Sequence, residues 1–365
     1  MSPDARVIRQ KVRERVRAAV LAPAADPMLP AFTRYFQERF GSRLLAIILY
    51  GSCLSQLTRR ESSIYDFFLI CDRYRSFYRM EQVPLTPACA KAPACAEASV
   101  GRLAGTLPSP ARGEGGRRLR DLKLALFNYF LPPNIFYFEF SDPGLGRLAG
   151  KYSVTSLSDF RHETSTRARD TYLLGRFAKR VALVYARDER VREELVDSIV
   201  SAMEQNLALT LPFLPERFHR DEFITTLLGI SYRGETRVDV DTKVEELFRA
   251  EAEYYRQCYG ELLRARLLER WAGAEADDSY FLPGKPWQRR YRQLAVRAHL
   301  FKTRIRTYLR WPKYLITFDN WLDYLLSKIE RSKGIRLELT ERERKYPLIF
   351  GWKHFFRLKR AGKIK

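Results

Sequence analysis

The sequence is poor in the residues that build covalent or metal-bound cross-links. It has five cysteines and four histidines in 365 residues. No two cysteines have Cys-x-x-Cys spacing, and the histidines are scattered. A disulfide framework or a zinc site needs such clusters. We therefore interpret the cysteines as reduced thiols and expect no zinc site.

Long apolar runs are also absent. A membrane-spanning helix needs about 20 consecutive apolar residues, and no run approaches that length, so no transmembrane helix is expected. The first residues lack the continuous apolar core of a secretory signal. Apolar residues at every fourth position from Ile8 to Val20 instead predict an Arg-rich N-terminal helix. A mitochondrial presequence is the alternative, which Asp4 and Glu14 disfavour because presequences are poor in acidic residues.

Acidic residues are scarce, above all near the C-terminus. The chain has 65 Lys and Arg against 43 Asp and Glu, a net charge of +22. Residues 285–365 alone carry 23 basic and 6 acidic residues. Such a segment attracts polyanions, meaning nucleic acid or anionic lipid headgroups. Its aromatic residues alternate with Lys and Arg, as in helices that lie on membranes; a basic helical lobe with internally packed aromatics is the alternative.

The apolar residues that are present follow two patterns, one after the other. Dense aliphatic and aromatic runs at LLAIILY, IYDFFLIC and NIFYFEF predict strands. From about residue 161, apolar residues recur every three or four positions, which predicts helices. We expect an α+β protein with an N-terminal helix (1–28), a mixed-sheet lobe (29–160), a helical lobe (161–275) and a basic helical extension (276–365).

Residues 83–118 interrupt the predicted sheet lobe. They are dominated by Pro, Ala, Gly and Ser and contain no aromatic residue. That composition cannot bury enough apolar surface to fix a backbone. We therefore predict a flexible insertion and seek no function in it.

A candidate site lies between the first two predicted strands, in YGSCLSQLTRRESSIYDFF. Gly51 lets the backbone approach a ligand, and the Ser52 hydroxyl and the following amides can hold phosphate oxygens. Asp66, 14 positions later, can hold the magnesium ion that bridges nucleotide phosphates. Polymerase-beta-like nucleotidyltransferases place Asp-x-Asp here, but Phe68 takes the second position, so Glu139 is the candidate replacement if its strand lies beside that of Asp66. Taken alone, these residues also fit an ordinary turn that ends a strand.

Four segments, in this order, are similar to motifs of one known family. YGS and DFF resemble its YGSG and DFIF, where Asp-x-Asp is already broken. KYSVTSLSDF (151–160) is similar to KYGVIS, YLLGRFAKRV (172–181) to YIAGRLHKPV, and LLGISYRGETRV (227–238) to GLSYTGDFRM. Between residues 30 and 260 the chain thus resembles the mitochondrial-type phosphatidate cytidylyltransferases, the translocator assembly and maintenance family. It departs from them where the family has Gly, Gly and Pro, at Cys53, Ser153 and Arg180.

The resemblance implies an enzyme that makes CDP-diacylglycerol and pyrophosphate from CTP and phosphatidic acid with Mg²⁺, a step of phospholipid and cardiolipin synthesis. Catalysis would rest on Asp66, Ser52 and Lys179, and the metal ligands would be Asp66 and Glu139. Arg176 and Lys179, three apart in GRFAK, are expected on one helix face; a solvated basic face is the alternative. The residues expected to hold CTP and its phosphates are Gly51, Ser52, Lys151, Arg176, Lys179 and Arg237.

The expected location is peripheral, on the inner, cytoplasmic face of an anionic membrane, with the matrix side of the mitochondrial inner membrane as the alternative. No RNA-binding signature is present, so nucleic acid is not the expected partner. Two other functions stay open. One is a nucleotidyltransferase acting on RNA or another acceptor, because aromatics among Arg and Lys also suit base stacking. The other is a noncatalytic lipid-binding homologue, because one carboxylate is missing and Cys53 and Ser153 depart from the family.

Overall fold

The computed structural model describes most of the sheet and the helices around it. Ser52, Arg237 and residues 80–113 lie outside the described residues, whereas the last five residues of the predicted insertion, 114–118, begin a helix. Within the described part, no helix is long and apolar enough to cross a membrane. The described ranges are 3–22, 26–51, 53–54, 64–79, 114–233, 240–270, 278–282 and 284–317, with short pieces between 322 and 354.

Five strands form one mixed sheet in the order β3-β4-β2-β1-β5. β2 and β4 are parallel, and the other neighbouring strands are antiparallel. The three strands predicted from the sequence are confirmed as β1, β2 and β3, and the expected α+β class is confirmed with them. The strands are β1 Leu44–Tyr50, β2 Tyr65–Cys71, β3 Asn134–Asp142, β4 Gly146–Ser156 and β5 Ala182–Ala186.

Helices cover both faces of the sheet, and the longer ones follow it in the chain, as predicted. A short antiparallel pair, β6 Arg217–His219 and β7 Ser279–Phe281, lies among them. The helices are α1 Pro3–Leu21, α2 Leu29–Phe40, α3 Tyr74–Tyr78, α4 Glu114–Phe130, α5 Leu157–Glu163, α6 Tyr172–Phe177, α7 Glu189–Thr210, α8 Arg220–Arg233, α9 Val240–Arg270 and α10 Pro286–Thr317.

The central strand β2 is apolar on both faces because both are covered. Successive side chains of a strand point to opposite faces. Phe67 and Leu69 pack in one cluster with Phe36 of α2, while Phe68 and Ile70 pack in a second cluster with residues of α7, α8 and α9. This double burial explains why β1 and β2 are near-continuous apolar runs. The polar residue of β2, Asp66, lies at the N-terminal end of the strand, where the candidate site is found.

The sheet extends beyond residue 160, where the sheet lobe was expected to end. β5, which lies inside the predicted helical lobe, pairs antiparallel with β1. Its sequence ALVYA is separated by four residues from the short helix α6 and precedes the long helix α7. The helical periodicity of these neighbours is therefore stronger than the signal of a five-residue strand. The sheet and the helices that follow therefore share one hydrophobic core.

The predicted N-terminal helix is confirmed as α1 and is built into that core. Val12 and Val16 are fully buried in the cluster that contains residues of α7 and α9. On its polar side, Arg13 and Arg17 pair with Glu193 of α7, at 2.5 and 2.6 Å. The regular spacing of apolar residues thus marks the face of α1 that packs against the core.

Buried charged side chains hold α10 against the edge of the sheet at β3. Arg306 and Arg310 both bind the carboxylate of Asp170, at 2.6 and 2.7 Å, and Arg310 and Asp170 are 1% and 2% exposed. Arg310 and Lys313 also donate hydrogen bonds to backbone carbonyls of residues 131–133. Part of the basic charge of the predicted extension is therefore internal.

Candidate active site

Gly51 directly follows β1 and lies close to Asp66. Its φ is +89°, a conformation that side chains other than glycine rarely adopt. A Cβ built on Gly51 would lie 3.1 Å from Oδ2 of Asp66, because the antiparallel register places Tyr50 opposite Asp66. Glycine is thus required here both for the turn and for the approach of the carboxylate.

Asp66 forms an ion pair with Lys151 across the parallel strands β2 and β4. The register sets the two residues opposite each other, and Nζ of Lys151 lies 3.0 Å from Oδ1 of Asp66. Their side chains are 24% and 25% exposed, so a ligand can reach both. The predicted metal ligand and one predicted phosphate-binding residue therefore occupy a single small site. Ser52, which follows Gly51, lies outside the described residues.

The Tyr50 hydroxyl lies within the electrostatic reach of this pair and of α6. Burial raises the pKa of Tyr50 and the Asp66 carboxylate raises it further, whereas Arg176 and Lys151 lower it. The phenol therefore stays protonated at neutral pH and can donate a hydrogen bond. Tyr50 cannot be predicted as a site residue from the sequence, because an aromatic residue at the end of a buried strand has the same pattern as a core residue.

Arg176 is positioned by stacking on an aromatic ring of its own helix. Its guanidinium carbon lies 3.5 Å from the centre of the Tyr172 ring, and Nη1 donates to the Tyr172 carbonyl at 2.9 Å. α6 packs closely on α8, since a Cβ on Gly175 would lie 2.7 Å from the carbonyl oxygen of Ser231. Arg176, predicted to bind phosphate, lies near enough to Tyr50 for its charge to lower the pKa of that hydroxyl, as the charge of Lys151 also does.

Lys179 lies beyond the helix that was expected to carry it. α6 ends at Phe177, so Arg176 and Lys179 do not share one helical face, and that prediction is corrected. The ammonium of Lys179 lies 3.5 Å from the centre of the Tyr232 ring on α8, a cation–π contact. Arg237, the other predicted residue of this region, lies outside the described residues.

Comparison with known proteins confirms the resemblance for a large part of the chain. Residues 134–299 match the family model described as phosphatidate cytidylyltransferase, mitochondrial. A protein of the same name from cattle is 34% identical over 126 residues, which are 33% of this chain and 35% of the relative. The family resemblance is confirmed. The chain thus spans about a third of the length of this relative, and the match begins at β3, so Lys151, Arg176 and Lys179 lie within it and Gly51 and Asp66 lie before it.

One departure from the phosphatidate cytidylyltransferase motifs has a partner in the structure. Arg180 stands where the family has Pro, and its Nη1 lies 3.0 Å from Oε2 of Glu251, which is 8% exposed. Glu251 has φ −128° and ψ 24°, outside helical values, at a kink in α9. The added cation therefore pairs with a buried carboxylate.

The second departure, Cys53, lies beside the site as a neutral thiol. Burial raises the pKa of Cys53 to about 12, with a further contribution from Asp66. A thiol with so high a pKa is a poor nucleophile and metal ligand at neutral pH. The three cysteines that the structure describes, Cys53, Cys71 and Cys258, are all free.

Glu139 does not lie beside Asp66. It is predicted as a metal ligand only if its strand neighbours that of Asp66, and this condition is not met. β4 lies between β2 and β3, so the two carboxylates are two strands apart, about 10 Å at the usual strand spacing. Glu139 pairs instead with Arg147, whose Nε lies 2.9 Å from Oε2. Among the described residues, no three His, Cys, Asp or Glu side chains are grouped so as to hold a metal ion.

Proposed function

We propose that this chain is a phosphatidate cytidylyltransferase, which makes CDP-diacylglycerol and pyrophosphate from CTP and phosphatidic acid at a membrane surface. The observation that carries the proposal is the Asp66–Lys151 pair beside Gly51, in a chain that matches the family from residue 134 onward. One carboxylate, one ammonium and a glycine turn at a strand end are the parts that nucleotidyl transfer needs for positioning and charge neutralisation.

The reaction is an in-line displacement at the α-phosphorus of CTP. An oxygen of the phosphatidic acid phosphate forms the new bond to this phosphorus, and the bond to the β,γ-diphosphate breaks. Pyrophosphate leaves with the electron pair. The attacking phosphate is already ionised at neutral pH, so the step requires no general base, and the charges of the two polyanions are the main obstacle.

Lys151 and Arg176 are suited to neutralise part of the negative charge of the two substrates. Lys151 would contact a phosphate oxygen from its place beside Asp66, and the stacked Arg176 would present its fork of N–H donors. The protonated Tyr50 hydroxyl, which is within electrostatic reach of both, would donate a further hydrogen bond. By resemblance, Ser52 would hold the triphosphate, and Lys179 and Arg237 would bind phosphate oxygens on the α8 side.

The donor set fits a magnesium ion that arrives with the nucleotide. Mg²⁺ in nucleotide enzymes is held by one or two carboxylates together with substrate phosphates, and it keeps several waters. Asp66 offers a carboxylate for this, and the described residues contain no group of three or more His, Cys, Asp or Glu side chains that could hold an ion by themselves, which is compatible with a nucleotide-borne ion. Bound there, the ion would neutralise charge on the triphosphate.

The outer face of α10 supports attachment to a membrane. Arg306 and Arg310 face inward to Asp170, while a stripe of apolar side chains faces solvent. Exposed Arg and Lys residues flank the stripe and suit anionic headgroups. The stripe consists of Trp287, Tyr291, Leu294, Phe301, Ile305 and Tyr308, which are 46–71% exposed.

The deciding experiment is CDP-diacylglycerol formation from labelled CTP and phosphatidic acid in liposomes with magnesium. The wild type should form product, and Asp66→Asn should abolish it while keeping the space beside Gly51 filled. Asp72→Asn is the matched control, because Asp72 follows the same strand with its side chain 73% exposed. Folded, liposome-bound wild type without product would contradict the proposal; transfer of CMP to RNA instead would favour a different acceptor.

A further inference from the structure

α4 presents a stripe of apolar side chains to solvent. Leu124 and Asn128 on its inner side are buried, and Asn128 binds the carbonyl of Val154 in β4 at 2.9 Å. The outward side chains recur at three- and four-residue spacing, which places them on one helix face. They are Leu119, Leu122, Leu126, Tyr129 and Phe130, each 45–65% exposed.

Such a stripe needs an apolar partner. Single exposed apolar residues are common on soluble proteins, but a contiguous stripe is typical of an interaction surface. The family match begins at residue 134 and therefore does not cover α4. The proposed reaction also assigns no role to this helix.

The end of α4 is joined to α10 by hydrogen bonds. Nη2 of Arg306 donates to the carbonyl of Phe130 at 3.1 Å, and Arg310 donates to that of Pro132 at 3.0 Å. Lys313 reaches the carbonyl of Pro133 at 2.7 Å. The end of α4 is therefore fixed against α10.

Charge identifies the partner. α10 contains no Asp or Glu, and five of its nine Arg and Lys residues are exposed: Arg290, Arg292, Arg297, Lys302 and Arg304. On α4, the exposed Arg118, Arg120 and Lys123 border the apolar stripe. Apolar side chains flanked by cations match the hydrocarbon and the anionic headgroups of a bilayer surface.

We propose that α4 is a second membrane-binding element, and that its outer stripe and that of α10 together form the surface that docks on an anionic bilayer. The inference deepens the proposed function and rests on it for the presence of a lipid substrate. Docking through two joined helices would fix the orientation of the sheet at the membrane, since α10 also lies against β3.

Flotation with vesicles tests this surface. Phosphatidylglycerol–phosphatidylcholine vesicles provide anionic headgroups without the substrate, so binding at the catalytic site does not contribute. The α4 variant is Leu122→Ser/Leu126→Ser and the α10 variant is Phe301→Ser/Ile305→Ser. The control is Val7→Ser/Leu145→Ser, two residues that are 57% and 38% exposed elsewhere on the molecule.

We expect the α4 variant to bind these vesicles about tenfold more weakly than the wild type, with an unchanged melting temperature, because each serine removes apolar area from the membrane contact. The α10 variant should show a similar loss and the control none. Wild-type-like binding of the α4 variant, together with loss in the α10 variant, overturns the inference and leaves the proposed function intact. Wild type that floats but makes no product with detergent-dispersed phosphatidic acid overturns the proposed reaction and leaves this inference intact.

Discussion

The Asp66–Lys151 pair at the site and the cluster that Asp170 forms with two arginines of α10 are both contacts between a carboxylate and cations. They differ in how far solvent reaches them. Asp66 and Lys151 are each about a quarter exposed and form an ion pair at 3.0 Å. Asp170 is 2% exposed and is bound by two arginines, which tie α10 to the core. A pair that solvent reaches can exchange its partner for a phosphate or a metal ion, whereas a buried cluster cannot without unfolding. Exposure, more than residue type, separates the pair that we propose to bind substrate from the structural one.

The largest expected effect is on activity, at the exposed pair. Lys151→Met should lower kcat/KM for CTP by about 10²- to 10³-fold, because one donor to the phosphates is lost, while the free energy of unfolding changes little. Steady-state kinetics and urea unfolding measure the two quantities. Arg249→Met is the control, since Arg249 pairs with Glu245 at 3.3 Å on the surface of α9. A Lys151 variant that loses stability in place of activity would contradict the comparison.

At the buried cluster the expected effect is on stability. Arg310→Gln should lower the free energy of unfolding by about 3 kcal/mol, because a fully buried carboxylate loses one of its two cations. Arg306→Gln removes the other cation, but Arg306 is 19% exposed, so we expect a loss of about 1 kcal/mol. Urea unfolding measures both. Equal losses would mean that burial does not set the strength of these contacts.

Acid should weaken the buried cluster in a specific pH range. Burial alone would raise the pKa of Asp170, but Arg310, a backbone N–H and Arg306 outweigh it and hold the pKa below its usual value. Because its pKa is lower in the folded state than in the unfolded state, Asp170 stabilises the protein at pH values above the unfolded pKa. This stabilisation is lost as the pH falls through the folded-state pKa. The difference in unfolding free energy between wild type and Asp170→Asn should thus be constant near neutral pH and shrink below about pH 4. A difference independent of pH down to acid unfolding would contradict it.

These contacts also mark the limit of what the sequence predicts. β1, β2, β3 and the glycine turn follow from local composition, because aliphatic runs and Gly51 carry their own signals. The Asp66–Lys151 contact depends on the register of two parallel strands 85 residues apart, which no local pattern encodes. β5 was missed for the same reason, since its five residues gain strand character only from pairing with β1.

A smaller effect should distinguish the turn at the site from an ordinary glycine turn. Gly51→Ala places a methyl group 3.1 Å from Asp66 and strains a residue at φ +89°. Gly41, at φ +53°, has no atom within 4 Å of its added Cβ, so Gly41→Ala reports backbone strain alone. We expect about 1–2 kcal/mol of destabilisation from each, with loss of CTP turnover in the Gly51 variant only. Equal turnover in the two variants would show that the approach of Asp66 has no catalytic importance.

The smallest expected effect concerns Glu139, the carboxylate that the sequence offered as the missing metal ligand. It lies on the same sheet as Asp66, but β4 separates their strands and Arg147 neutralises it. Glu139→Gln should therefore leave kcat and the magnesium dependence of the reaction within about twofold of the wild type, since exposed ion pairs contribute little. Magnesium titrations of the initial rate, run beside Asp66→Asn, provide the measurement. A rise in the magnesium requirement of the Glu139 variant would mean that β3 shifts toward the site when CTP binds, and that the distance between the two carboxylates is set by the substrate as well as by the sheet.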